Sequence, residues 1–362
     1  MYVSKENLTW LISDPDAEAG AIETTPETRG MSLLTKQELA QINLRFGPND
    51  KVCITSEAVM DAVLQRLDDE VRRKAIAIFK DKHAFRELLR AMYPELHFEQ
   101  IAAHDLYTLN LDPQRRYVIK PVKGCFGSGV RLIGGDADLI ALGKDIHNEL
   151  QRNAAIFSDS VLSIDQLIVE DYIEGEEYAV DMFYDSDGQP VITNIYHHPI
   201  PDNPAYLHML YYSSQAVFER LFDPAVRFFE ALNQQLNVRH LPIHCEFRMM
   251  QDQLIPIEFN SLRFGGMGLA NLSYYAVGVN AYHCFVTESR PDWREIWQSR
   301  SDTAIGFCIA YNGTQVDTAV QRPDWIKFRR LFSKILLEVP FDYQNQLAFG
   351  ILYIEEPVDR IE

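Results

Sequence analysis

The chain reads as a mixed α/β or α+β protein built from two or three lobes. Strand-like and helix-like segments alternate irregularly along it, which is the pattern of sheets covered by helices. Its 362 residues are 47% hydrophobic, enough for a sizeable core. No apolar run is long enough to span a bilayer, and the first thirty residues lack a signal-peptide pattern. A soluble, cytoplasmic protein is expected.

In order along the chain, Leu8–Ile12 and Val52–Thr55 are short strand candidates, and the acidic stretch 14–30, with Pro15 and Pro26, reads as a loop. Ser56 is placed to cap a helix running to about Lys80, with Val59, Ala62, Val63, Leu67, Val71 and Ala75 on one stripe. A second helix over Lys82–Met92 stops at Pro94. Tyr117–Lys120 and Val130–Ile133 are strands on either side of a Gly-rich loop, Leu139–Ala155 is helical, and Leu167–Tyr172 is a strand. Glu177–Tyr184 and Pro190–Tyr196 form a hairpin around Asp185-Ser-Asp-Gly188. A long helix over Ser214–Leu236 precedes a second hairpin over 243–260. Leu272–Phe285 is helical, Thr303–Tyr311 a strand, Trp325–Ser333 a helix and Leu347–Ile354 a strand.

The formal charge is −18, from 52 acidic and 34 basic residues. A nucleic-acid partner is disfavoured, because phosphate backbones need a basic footprint. Five cysteines, at 53, 125, 245, 284 and 308, stand apart with no CxxC pair, so neither a disulfide framework nor a structural zinc site is indicated. Cys53 and Cys245 read as small strand residues, Cys125 sits in the Gly-rich turn, and none is assigned nucleophilic work.

The second hairpin, His244-Cys-Glu-Phe-Arg248 and Ile255-Pro-Ile-Glu-Phe-Asn260, carries the most chemistry. Alternation places His244, Glu246 and Arg248 on one face of the first strand, and Glu258 and Asn260 on one face of the second. Two carboxylates and an amide oxygen are hard donors of the kind Mg²⁺ takes beside nucleotide phosphates, although an amphipathic hairpin with a polar outer face has the same pattern. Upstream, Tyr117-Val-Ile-Lys-Pro-Val-Lys-Gly-Cys-Phe-Gly-Ser-Gly-Val130 sets a lysine before glycines whose N–H groups could approach phosphate oxygens. It is neither a Walker loop nor a dinucleotide fingerprint. Leu167-Ile-Val-Glu-Asp-Tyr-Ile-Glu-Gly-Glu-Glu177 runs from a buried strand into an acidic turn. There a strand edge could meet an adenine and a carboxylate could accept two ribose hydroxyls. Glu174 and Glu176 read as solvated turn residues.

Taken in order, Lys120-Pro121 with its glycine loop, Glu170…Glu177 and Glu246…Glu258-Phe-Asn260 resemble the ATP-grasp superfamily over roughly residues 80–285. That resemblance implies two α+β subdomains holding ATP, with residues 1–80 a shortened N-terminal lobe, 81–185 the first subdomain, 186–290 the second with the metal site, and 291–362 a C-terminal extension. It implies Lys120 and Lys82 at the phosphates, Gly127, Ser128 and Gly129 as their cover, Glu170 and Ile173 at the adenine and Glu177 at the ribose. Glu246, Glu258 and Asn260 would be ligands of two Mg²⁺ ions, with Mn²⁺ as a substitute. Arg263, three positions after Asn260 rather than two, would hold the substrate carboxylate or acyl phosphate, with Arg248 as the other candidate. The first eighty residues lack the early glycine turn of the family's usual N-terminal lobe.

The implied activity is an ATP-dependent ligase that makes an acyl phosphate and joins it to an amine, with amino acids or peptide-like molecules as substrates. A carboxylation or nucleotide-pathway ligase, a phosphotransferase and a non-catalytic ATP-binding regulator are the alternatives. Small-molecule carboxylate and amine partners are expected, without membrane association and with a homodimer compatible. The turn His197-His198-Pro199 and the stretch Tyr206–Tyr212 with His208 are candidates for the acceptor pocket or for simple packing, and His240 and His244 read as core or strand residues.

Overall fold

The computed structural model describes residues 9–13, 31–124, 129–153, 163–201, 206 and 209–361. The chain divides into two compact units, one of residues 1–69, 175–257 and 262–362, the other of residues 70–174 and 258–261.

The first unit begins with strands β1 (Thr9–Ser13), β2 (Ser32–Thr35) and β3 (Lys51–Ile54), paired in parallel in the order β2-β1-β3. Two strands are expected from the sequence here. The third, β2, is only four residues long, and its last residue, Thr35, also caps helix α1 (Lys36–Gln41) through a reciprocal bond pair with Glu38. Leu11 and Cys53 enter a core shared with Phe183, Val191, Phe264 and Phe285.

The single helix expected from Ser56 to Lys80 is three pieces: a 3-10 turn at Glu57–Val59, α2 (Met60–Leu64) and α3 (Glu70–Lys80). The break has a non-local cause. Phe46 N–H donates to Arg66 O at 2.8 Å, and Asp68 N–H donates to Phe46 O at 2.7 Å. The fully buried Phe46 and Leu67 thus form a bridge that takes backbone groups a helix would have used. Val71, expected on the apolar stripe, is exposed.

The main body of this unit is an eight-stranded sheet. It comprises β8 (Glu176–Tyr184), β9 (Pro190–His198), β10 (Leu210–Ser213), β11 (Leu241–Met250), β12 (Gln253–Ser261), β13 (Thr303–Tyr311), β14 (Lys334–Pro340) and β15 (Ala348–Pro357). Their order is β12-β11-β8-β9-β10-β13-β15-β14. Asp185 closes the β8–β9 turn by accepting from the N–H groups of Asp187 and Gln189 at 3.0 and 2.8 Å, and Gly188 supplies φ +76°. Ser214 caps the 22-residue helix Gln215–Leu236, whose apolar face lies on β9. The helix expected over Leu272–Phe285 is two, Leu272–Val277 and Ala281–Thr287, because Gly278 takes a left-handed C-cap at φ +77°. The helix at Trp325 ends at Arg329.

The second unit carries α3, α4 (Lys82–Leu89) and α5 (Leu139–Asn153) with an antiparallel sheet of β4 (Phe98–Ala102), β5 (Arg116–Pro121), β6 (Arg131–Gly134) and β7 (Gln166–Asp171). The order is β4-β7-β5-β6. Ile119, Leu167 and Val169 from the sheet close over Ile146 and Leu150 of α5. Helix α4 begins at its cap Asp81, which accepts from Ala84 N–H at 2.9 Å, and stops at Leu89, three residues short of Met92. The strands β4, β10 and β14 have no counterpart in the sequence reading. Among the described residues no helix is long and apolar enough to cross a membrane.

Candidate active site

In the second unit the end of β12 is fixed by an aromatic anchor. Phe259 packs between Phe79 and Phe85, with ring centroids 5.4 and 4.7 Å away. Alternation then turns Glu258 and Asn260 to the opposite face, as the sequence pattern requires. The Lys82 ammonium lies 2.9 Å from Glu258 Oε1 and 3.3 Å from Gly124 O. Burial pushes the Glu258 carboxyl up, but Lys82, Lys80 and Lys120 outweigh it and hold the group at about 2. Lys82, expected at the phosphates, is thus buried at the first turn of α4 beside a metal-ligand candidate.

Lys120 is also buried, at the end of β5, and its ammonium lies 2.5 Å from Glu170 Oε1 on the neighbouring β7. Arg86 Nε donates to Glu170 Oε2 at 2.6 Å. Burial pushes the Glu170 carboxyl up, and Arg86 and Lys120 together bring it down to about 2. Burial drives Lys120 below its ordinary value, with Arg86 and Lys82 adding to that push and Glu170 opposing it. Glu170, expected at an adenine amino group, therefore has protein cations as its partners here.

Ile173 is buried just beyond β7. Gly129 has φ +70°, and its N–H donates to Glu149 Oε1 at 2.8 Å. A Cβ there would come within 2.9 Å of Leu150 Cδ2, so both the backbone angle and the space favour glycine. Gly127, Ser128 and Cys125 lie outside the described residues.

A consequence for pH follows from Glu170 and Glu258. Each carboxyl has a folded value near 2 against an ordinary 4.5. The stability this difference supplies is fully present above the ordinary value and is lost as pH falls from about 4.5 towards about 2. Acid unfolding followed by circular dichroism is expected to be shallower across that window in Glu170→Gln than in the wild type. Identical slopes would remove Glu170 as the source.

In the first unit, β8, β9 and β11 bring together Glu177, His198 and Arg248. Glu177 Oε1 accepts from His198 Nδ1 at 2.8 Å, and Oε2 accepts from Arg248 Nη2 at 3.2 Å. Burial raises the Glu177 carboxyl, and His198 and Arg248 bring it net below the usual range. His198 stacks on Tyr211 at 4.1 Å, and His197 lies 2.7 Å from the Tyr212 hydroxyl. The Tyr211 phenol is pushed well up by burial and by the charges of Glu246 and Glu177, with Arg263 working the other way. Tyr211 thus sits in the field of several expected site residues.

Arg263 leaves β12 through a left-handed turn. Leu262, fully buried, has φ +67°, and its carbonyl accepts from Ile54 N–H at 2.7 Å. A bulky residue in that region is strained and is held by its surroundings. The Arg263 guanidinium donates through Nε to Glu57 Oε1 at 3.2 Å and through Nη1 to Phe264 O at 3.1 Å. Glu57 and Arg86 are absent from the sequence reading. Each belongs to a helical segment whose periodicity marks apolar positions only, and a buried charge is visible once its tertiary partner is known.

Within the second unit, Glu258, held anionic at neutral pH, and Asn260 are hard oxygen donors of the kind a divalent cation takes. Among the described residues there is no group of three His, Cys, Asp or Glu side chains able to hold a metal by themselves.

Residues 114–271 match the family model of the ATP-grasp domain. Over that segment the chain resembles an ATP-grasp domain, and its fold as a whole is shared with solved structures. Among solved structures it is similar to the L-amino acid ligase from Bacillus licheniformis, with 15% identity, 98% of this chain and 95% of that one covered, and a TM-score of 0.67. It is similar to the phosphoribosylamine–glycine ligase from Thermotoga maritima, with 11% identity, coverage of 97% and 92%, and a TM-score of 0.59. An N5-carboxyaminoimidazole synthase from Aspergillus clavatus, in complex with ADP and its aminoimidazole ribonucleotide, aligns at 12% identity over 98% and 97% with a TM-score of 0.57. No curated protein matches the chain by sequence.

Proposed function

We propose that the chain is an ATP-dependent carboxylate–amine ligase acting on amino acids or peptide-like molecules. The observation that carries this reading is the set of buried lysines Lys82 and Lys120, each ion-paired to a site carboxylate and each at an element end beside the glycine loop. Such cations are where a triphosphate would place its charge. The likeness to an L-amino acid ligase over nearly the whole of both chains supports the choice of substrate class.

In the reaction, a substrate carboxylate oxygen attacks the γ-phosphorus of ATP, forming an acyl phosphate and breaking the bond to ADP. An amine nitrogen then attacks the acyl carbon, inorganic phosphate leaves, and the amine proton passes to solvent. Lys120 and Lys82 neutralise the phosphates, Arg263 holds the carboxylate and then the acyl phosphate, and Glu170, Ile173 and Glu177 seat the nucleoside. Mg²⁺ held by Glu246, Glu258 and Asn260 would supply further charge neutralisation at the transferring phosphoryl group. Residues 81–290 carry this machinery, with 1–80 and 291–362 flanking it. Gly127 and Ser128 belong to the proposed phosphate cover.

The test is ADP release from ATP and Mg²⁺ over paired amino acids, with mass detection of products. A dipeptide-forming pair is expected. Nucleotide binding with no ADP from any carboxylate would replace the ligase reading with that of a binding protein.

A further inference from the structure

Asp181, at the middle of β8, is fully buried and has no part in the scheme above. Burying a carboxylate is costly unless hydrogen bonds compensate for the lost water, and here three groups supply them. His244 Nδ1 lies 2.8 Å from Oδ1, the Gly265 N–H donates to the same oxygen at 2.8 Å, and the Tyr196 hydroxyl donates to Oδ2 at 2.7 Å. A carboxylate offers only acceptors, so the ring nitrogen facing it carries the hydrogen.

Two of these contacts lead to expected site residues. His244 and Glu246 are two positions apart on one face of β11, and His244 Nε2 stands 3.9 Å from Glu246 Oε1. That is a packing distance rather than a hydrogen bond, so the fixed ring edge limits where the Glu246 carboxylate can rotate. Gly265 closes the segment Leu262–Gly265, which carries Arg263 out of a strained turn. The Tyr196 hydroxyl, by contrast, lies also 3.2 Å from Leu269 O and reaches no expected site residue.

We propose that Asp181 is a positioning residue that orients the metal-side carboxylate Glu246, through His244, and the Arg263 segment, through the Gly265 N–H. This rests on the ligase reading above. Orienting partners of this kind fix a ligand's direction without touching the reacting atoms, and losing one typically weakens metal affinity or activity about 10–100-fold.

The experiment measures Mn²⁺ binding by electron paramagnetic resonance in the presence of ADP, with KM for the carboxylate substrate and the melting temperature in parallel. Asp181→Asn is expected to weaken Mn²⁺ by about tenfold or more and to raise the carboxylate KM. His244→Asn keeps a donor towards Asp181 but removes the ring edge. It is expected to weaken Mn²⁺ similarly and to leave the carboxylate KM near the wild-type value. Tyr196→Phe deletes the third contact and is expected to change neither by more than about twofold.

A role in folding alone would lower the melting temperature of all three variants and leave both affinities in place, which would overturn the proposal. So would wild-type Mn²⁺ affinity in His244→Asn, even if Asp181→Asn fails to fold. Wild-type protein that binds no Mn²⁺ with ADP would instead overturn the ligase reading itself.

Discussion

Replacing Glu258 with Gln is expected to lower kcat by about 10²-fold or more, by analogy with the loss of one pre-organised electrostatic contact to a transition state. The substitution is nearly isosteric, so Phe259 should stay between Phe79 and Phe85 and the strand should keep its register. What disappears is a negative charge held at about 2 by Lys82, Lys80 and Lys120. Those cations would then face a neutral amide, and an anionic donor for a divalent cation would be gone. The loss should appear mainly in kcat, because the interaction matters most while charge moves between γ-phosphate and acceptor. Nucleotide binding measured without metal should change little. Unchanged turnover in Glu258→Gln would sink the metal assignment.

The face that Glu258 shares with Asn260 is legible in the sequence because the strand alternates, with Ile257 and Phe259 marking the opposite face. The same reasoning found β5, β7, β8, β9 and β11, all long or centrally placed. It missed β2, β4, β10 and β14. The first and third of these have four residues each, and β14 lies at the edge of its sheet, where few positions must be fully buried. The break before α3 was invisible because its cause, Phe46, lies about twenty positions away in the chain. The same limit applies to the site. Period and spacing locate Lys120 and Glu170 on strands, but Arg86 and Glu57 become meaningful only when folding brings a counter-charge to each. His244 reads from sequence as a core or strand residue and Asp181 only as part of the strand Glu177–Tyr184, because their pairing is a register property of β8 and β11.

Arg263→Ala is expected to cut kcat/KM for the carboxylate substrate by about 10²–10³-fold, the scale found when one transition-state donor is removed. A guanidinium offers a planar fork to a carboxylate or an acyl phosphate, so Arg263→Lys, which keeps charge but not geometry, should recover only part of the loss. Stability complicates the simple variant. Arg263 is bonded to Glu57, whose side chain is 4% exposed, and removing the cation leaves a buried carboxylate with one partner fewer. The double variant Glu57→Gln with Arg263→Ala separates the two effects. It should melt closer to the wild type than the single variant while remaining equally slow, since only the ion-pair cost has been relieved. Arg248 provides the competing outcome. Its guanidinium is bonded to Glu177, the carboxylate assigned to the ribose, so Arg248→Ala should act chiefly on the KM for ATP. If Arg248→Ala instead abolishes use of the carboxylate while Arg263→Ala keeps wild-type kcat/KM, the substrate anchor is Arg248, and Arg263 with Glu57 is a structural pair at the base of the Leu262 turn.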